Sequence, residues 1–394
     1  MAETTTTTAR DRSIPARDPS RPTRDPSRPA RSEPAPQGLR SPRRRRTLAL
    51  AAVALGGPTL GAALAAGLAA LPGSAAAQAL EKPKLTIAVG GKAAFYYLPL
   101  TIAEQKGFFK EEGLTVEIVD FAGGSQALRA VVGGSADVVS GAYEHTINLQ
   151  SNKLYFTAFV LQGRAPAIAV GLASAKAAAY RSPADLKGMK IGVSAPGSST
   201  NMVANYVLAK GGLKASDVSF IGVGTSSSAL AAMRSGQIDA ISNVDPVMTM
   251  LEQKGDVKII ADTRTLKGTE QLFGGPMPAG CLYAPEEFLK RNPNTVQALT
   301  NAMVKSLRWL AAAGPGDIIK TVPEAYLLGD RALYLASYNA VKDAISPDGV
   351  ITEPGARTTL QALASFNPKV VPAEIDLGRT YTNEFVRKAQ ARVK

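Results

Sequence analysis

From residue 85 onward, short apolar runs alternate with segments whose apolar positions recur every three or four residues, the pattern of strands alternating with amphipathic helices. Apolar runs at 85–89, 116–119, 138–139, 154–161, 167–172, 190–193, 218–221 and 240–241 read as strands, and Gly-containing turns close the helices between them. The central pattern occurs twice: Ser125, Leu128, Gly134, Asp137 and Ser140 recur as Ser227, Leu230, Gly236, Asp239 and Ser242 at a constant offset of 102 residues. Each copy is a Ser-opened helix, a Gly turn and a short strand that runs into a polar loop, preceded by another strand, helix and strand. Two such β-α-β-α-β units predict an α/β protein of two doubly wound lobes facing each other across a ligand cleft, with the loops at the carboxyl ends of the strands lining it. The order assigns 80–172 to the first part of lobe 1, 173–273 to lobe 2, and 274–394 to a return to lobe 1 followed by C-terminal helices. Crossings between lobes are expected at 173–182 and 269–276. Helices are expected at 286–290, 293–313, 330–344 and 377–394, covering the lobes rather than forming a site.

The first eighty residues break this pattern. Residues 1–40 are rich in Thr, Pro, Arg and Ser, with Arg-Asp-Pro-Ser-Arg-Pro at 17–22 and again at 24–29, a composition that cannot bury a core. Four arginines at 43–46, an Ala/Gly/Leu run at 48–71 and Ala75-Ala76-Ala77 follow. These read as a charged n-region, an apolar h-region and a small-residue cleavage site, and Arg45-Arg46-Thr47-Leu48 resembles a twin-arginine (Tat) export signal. Residues 1–79 are therefore expected to be a disordered n-region and export signal cleaved near 77–79, which places the mature protein in the periplasm. The alternative is a transmembrane anchor, since the run is long enough to span a bilayer.

Charge and cysteine usage narrow the classes further. Of the net charge of +13, residues 1–79 hold 12 basic and 5 acidic residues, leaving 33 basic against 27 acidic in the remainder. That mild excess suits an anionic ligand and is too diffuse for a nucleic-acid partner. Cys281 is the only cysteine, so no intramolecular disulfide, Cys-rich zinc site or dithiol centre is possible, and it reads as a small buried hydrophobe. No metal and no cofactor are expected.

Candidate chemistry gathers at the carboxyl ends of the strands. After the first strand come Phe95, Tyr96 and Tyr97, of which Phe95 and Tyr96 are candidate walls of a pocket and Tyr97, nearest the helix, is the candidate core residue. Gly123-Gly124-Ser125 opens a helix and offers free backbone N–H groups with the positive end of the helix dipole, as does Gly197-Ser198-Ser199-Thr200 in the second lobe. Either suits an oxyanion; each is also an ordinary helix cap. Tyr143, Glu144 and His145, the single histidine, follow the third strand, where they read as polar ligand contacts or as an acid–base pair, with a helix cap as the bland alternative. Asn243 and Asp245 occupy the matching place in the second copy. Without a nucleophile motif or metal-ligand spacing nearby, binding ranks above catalysis.

Several of these motifs occur in an order that resembles the substrate-binding proteins of nitrate/sulfonate/taurine-type ABC importers. They are Gly-Phe-Phe-Lys-Glu-Glu-Gly-Leu-Thr-Val-Glu at 107–117, Phe-Ala-Gly-Gly-Ser-Gln-Ala-Leu at 121–128, Asp-Leu-Lys-Gly-Met-Lys-Ile-Gly-Val at 185–193, Gly-Ser-Ser-Thr at 197–200 and Asp245-Pro246. The resemblance implies the type II periplasmic binding protein fold and a monomer that captures a small organic anion or zwitterion. It also implies delivery to an ABC permease with its ATPase, and ligand contacts at Phe95, Tyr96, Ser125, Tyr143 to His145 and Ser198 to Thr200. Where that family often carries an aromatic before the Asp-Pro, this chain has Asn243-Val244. The resemblance extends to thiamine-pyrimidine synthases, enzymes of the same fold, and a ligand receptor for a membrane sensor is a further alternative.

Overall fold

The eight apolar runs become strands β1 (Lys84–Gly90), β2 (Thr115–Phe121), β3 (Val138–Ala142), β4 (Phe156–Leu161), β5 (Ile168–Ala173), β6 (Lys190–Val193), β7 (Ser219–Gly222) and β8 (Ala240–Val244), and two strands outside those runs complete the set, β9 (Val257–Asp262) and β10 (Gly280–Pro285). The structure is a computed structural model that describes residues 79–393. The expected export signal, its cleavage near 77–79 and the anchor alternative fall outside the described residues. Among the described residues no helix is long and apolar enough to cross a membrane.

The strands form two five-stranded sheets with the same internal order, β2-β1-β3-β10-β4 and β7-β6-β8-β5-β9. In each, the first three strands of a lobe run parallel and one antiparallel strand, β10 or β5, is inserted before the last. The residues of β3, β8 and most of β4, β5 and β10 are buried, as expected for strands covered on both faces. This architecture is the predicted α/β fold of two lobes with a helical C-terminal region.

The 102-residue repeat has a structural cause. Asp137 accepts a hydrogen bond from the Thr86 amide at 3.0 Å, and its own amide donates to the Thr86 carbonyl. Asp239 does the same with Lys190, its carboxylate accepting from that amide at 2.8 Å. Each aspartate ties the start of β3 or β8 to the parallel neighbour in its own sheet, β1 or β6. Gly134 and Gly236 end the preceding helices, Gly124–Val132 and Ser227–Arg234, with φ of 76° and 71°, left-handed values that favour glycine.

One boundary differs from the sequence reading. β5, assigned to lobe 1 by the 80–172 limit, pairs with β8 and β9 of the second sheet. The crossings accordingly run through 162–167 and 263–279, not 173–182 and 269–276. An apolar run buried on both faces says that a strand is central, not which sheet receives it. At the C-terminal end, helices Pro293–Ala312, Arg331–Val341, Glu353–Ala364 and Glu384–Arg392 cover the lobes; the expected helix at 377–394 begins at Glu384, and Glu353–Ala364 is additional to those expected. Helix Pro293–Ala312 packs on helix Leu98–Gln105 and on Glu384–Arg392.

Candidate functional site

Two helices of different lobes begin face to face. Helix Gly124–Val132 follows β2, helix Ser199–Lys210 follows β6, and Gly123 and Ser198 are their N-caps. Across the gap, the Ser125 amide donates to Ser198 Oγ at 3.0 Å, the Ser198 hydroxyl donates to Ser125 Oγ at 3.2 Å, and the Ser125 hydroxyl donates to the Pro196 carbonyl at 2.9 Å. Backbone spacing allows this because residue 123 is glycine: a Cβ there would lie 2.7 Å from the Ala195 Cβ and 3.0 Å from Ser198 Oγ. Gly91, with φ of 92°, likewise turns at a point where any Cβ would run into Thr225 of the other lobe. The lobes are closed on one another.

Between them lies a cavity of about 20 Å³, bounded among others by Tyr96, Tyr97, Gly124, Ser198, Ser199 and Thr225. That is room for about one water, so a larger ligand enters only when the lobes part. Tyr96 places its hydroxyl 3.4 Å from that of Ser199. None of the residues that line the cavity is charged; its polar character comes from hydroxyls and from the two helix starts.

Beneath this contact sits the Glu144–His145 pair, which begins helix Glu144–Ser151 after β3. Both side chains are buried, Glu144 Oε1 and His145 Nε2 have no hydrogen-bond partner, and His145 Nδ1 lies 2.7 Å from the Tyr283 hydroxyl. Burial pushes the Glu144 carboxyl up to about 7, opposed in part by the Ser199 hydroxyl. Burial lowers His145 to about 4, opposed in part by the Gly197 backbone, so its imidazole is neutral near pH 7. An orphaned buried polar atom costs about 1–3 kcal/mol unless something satisfies it. Two such atoms next to the contact of the lobes are what a ligand, or the water it displaces, would satisfy.

The other sequence candidates are used differently. The Thr200 hydroxyl accepts from the Ser194 amide at 2.9 Å and holds its own loop, although Thr200 also bounds the cavity. The Phe95 side chain is not a wall of the cleft: it packs against Tyr334 and Tyr338 of helix Arg331–Val341, with ring centroids 4.4 and 6.0 Å away. Three consecutive aromatics in the single 3₁₀ turn Phe95–Tyr97 project about a third of a turn apart, so the three rings do not all face one pocket. Tyr97, read as core, is the ring that joins Tyr96 at the cavity. Tyr143 is fully buried and turned away from the cleft, its hydroxyl 2.6 Å from that of Thr380. Asn243 is spent on the Gly224 carbonyl and the Val244 amide. Asp245 accepts from the Thr249 amide at 2.7 Å and faces Arg264 at 3.9 Å. Burial raises its carboxyl to about 6, against the pull of Arg264, so Asn243 and Asp245 brace the second lobe rather than line the cavity. The sequence pattern does not point to Thr225 or Tyr283, because Tyr283 reaches the site through the pairing of β10 with β3 and β4, and Thr225 through a loop after β7 that meets the other lobe only when the lobes close.

The NMT1-like family model matches residues 78–321. A protein of Bordetella bronchiseptica RB50 with a solved structure is 62% identical, with a TM-score of 0.79 over 80% of this chain and 99% of that one. YtlA of Bacillus subtilis (strain 168), whose name describes a binding protein, is 24% identical over 263 residues, 66% of this chain and 77% of the relative. The alkanesulfonate-binding protein SsuA of Xanthomonas axonopodis pv. citri, bound to MOPS, shares the fold at a TM-score of 0.59 and 20% identity, over 77% of this chain and all of that one.

Proposed function

Because the chain belongs to the NMT1-like family, we propose that it is the periplasmic solute-binding protein of an ABC importer, capturing a small organic anion or zwitterion between its lobes and presenting the closed form to a membrane permease with its ATPase. The observation that carries this is the meeting of two helix starts from different lobes over an uncharged cavity, with the unpartnered atoms of Glu144 and His145 beneath. An oxyanion bound there gains from free N–H groups and both helix dipoles without a cation having to be desolvated. The sulfonate named in the SsuA structure is such an anion. Binding fits better than turnover: the Ser125 and Ser198 hydroxyls are hydrogen-bonded within the contact of the lobes rather than to a base, and burial pushes the Cys281 thiol far up.

Glu144 decides between a pure anion and a zwitterion. A carboxyl near pKa 7 repels an anion once ionised and attracts an ammonium or N–H donor. The test is a thermal-shift screen of sulfonates, carboxylates, amino acids and pyrimidines, since a true ligand raises the melting temperature by mass action. The best hit is then carried into Ser198→Ala/Ser199→Ala and Glu144→Gln. Loss of both hydroxyls should weaken binding by about 1–3 kcal/mol. Glu144→Gln should weaken a ligand with a cationic end and strengthen a purely anionic one. If neither variant alters affinity for the best hit, the cleft is not the binding site.

A further inference from the structure

We propose that the protein has a second small-molecule site, beside the crossings rather than between the helix starts, shaped for an apolar amino acid. A cavity of about 310 Å³ lies where the crossing segments 162–167 and 263–279 pass the loop that leads into helix Glu353–Ala364. That volume is at the lower end of the range for small-molecule pockets. Its lining shares no residue with the cleft cavity. Leu161, Leu266, Pro276, Pro278 and Val350 make most of its wall apolar. Leu266 is 40% exposed, one of four large hydrophobic side chains so exposed among the described residues.

Two opposite charges stand on this apolar wall, Arg164 and Glu270. Arg164 is anchored from behind: its amide donates to the Ala344 carbonyl at 2.7 Å and its Nε to the Asp343 carbonyl at 2.8 Å. Its terminal guanidinium nitrogens make no hydrogen bond among the described residues, and neither Arg164 nor Glu270 forms an ion pair there. Arg264, by contrast, at the start of the second crossing, lies within 4.0 Å of three carboxylates. A guanidinium held at Nε keeps a planar fork of N–H groups for a carboxylate, and Glu270 supplies the counter-charge for an ammonium. A dianion would be repelled by Glu270, and a plain hydrocarbon would leave Arg164 desolvated and unpaired. A zwitterion with an apolar side chain answers both charges and fills the space between.

The probes are L-leucine and L-phenylalanine, with 4-methylpentanoate lacking the amine and 3-methylbutylamine lacking the carboxylate, titrated calorimetrically into the protein. At least one amino acid should bind saturably, and both truncated probes should bind at least tenfold more weakly. Arg164→Gln should weaken amino-acid binding at least tenfold. Glu270→Gln, at an exposed position with no structural partner among the described residues, should weaken the amino acid but not 4-methylpentanoate. Glu144→Gln, in the cleft, should leave the amino-acid isotherm as it is. Absence of saturable binding by the unmodified protein overturns the proposal, as does binding that neither Arg164→Gln nor Glu270→Gln alters. Binding lost in Glu144→Gln and kept in Arg164→Gln would place the amino acid in the cleft, overturning the second site while supporting the first.

Discussion

Glu144 holds a carboxyl in a place where ionisation is costly, and the cost has a pH signature. Its pKa rises from an ordinary 4.5 to about 7 because burial strips the carboxylate of water. The folded protein therefore binds more protons than the unfolded chain between those values, and stability is fully present below pH 4.5 and lost as pH rises through about 7. His145 has the opposite sign: lowered from 6.5 to about 4, it contributes stability that grows as pH rises over that window. In the native chain the two slopes offset each other. Glu144→Gln removes one, so the melting-temperature difference between variant and native protein should move in the variant's favour from pH 4.5 to 7. A tenfold change in proton affinity is worth about 1.4 kcal/mol, so the change is on the order of 3 kcal/mol at most. Equal pH profiles for the two proteins would show that Glu144 is solvated in solution and not the buried group described above.

At the scale of elements, the 3₁₀ turn Phe95–Tyr97 divides its three rings between two tasks. Phe95 joins the C-terminal helix Arg331–Val341 to the first lobe through Tyr334 and Tyr338, and its amide donates to the Asp245 carbonyl of the second lobe at 3.0 Å. Tyr96 and Tyr97 face the cavity. Phe95→Ala removes a buried ring from a packed cluster and should cost about 3–5 kcal/mol of stability by denaturant unfolding, with the affinity of the cleft ligand changed far less. A variant of native stability that no longer binds would return Phe95 to the pocket wall. The paired helices Gly124–Val132 and Ser227–Arg234 show how far a sequence repeat reaches: the second copies the helix, the Gly turn and the aspartate tie, but the helix whose start meets Ser125 is Ser199–Lys210, not the repeat partner.

At the scale of the molecule, closure depends on two backbones approaching without side chains between them. Gly123 is extended, with φ of −168°, a conformation any residue adopts, so Gly123→Ala introduces steric conflict with Ala195 and Ser198 across the cleft and no backbone strain of its own. The variant should fold as stably as the native protein yet favour the parted lobes. Small-angle scattering should give it a larger radius of gyration at a ligand concentration that compacts the native protein. Affinity should fall at least tenfold, because the ligand must then restore the closed state from its own binding energy. A variant that compacts and binds like the native protein would sink the clamp mechanism.

What the sequence determined by itself is local or periodic: the order of the first eight strands and most of the helices, the doubled unit at an offset of 102 residues, the glycines that end helices, and the Gly/Ser helix starts at 123–125 and 197–199. Each rests on residue types and spacings that act within a turn or two of chain. The tertiary structure decided the rest. β5 is an apolar run that either sheet could take, and only its pairing with β8 and β9 assigns it to the second lobe. Which of three adjacent aromatics faces the cleft depends on where a helix more than two hundred residues away packs. Ser125 and Ser198 read as two separate caps until the lobes close and make them partners. Arg164 and Glu270, unremarkable in the chain, line one cavity only because both crossings pass the same C-terminal loop. Contacts of this kind are set by the packing of distant segments, about which the local pattern says nothing.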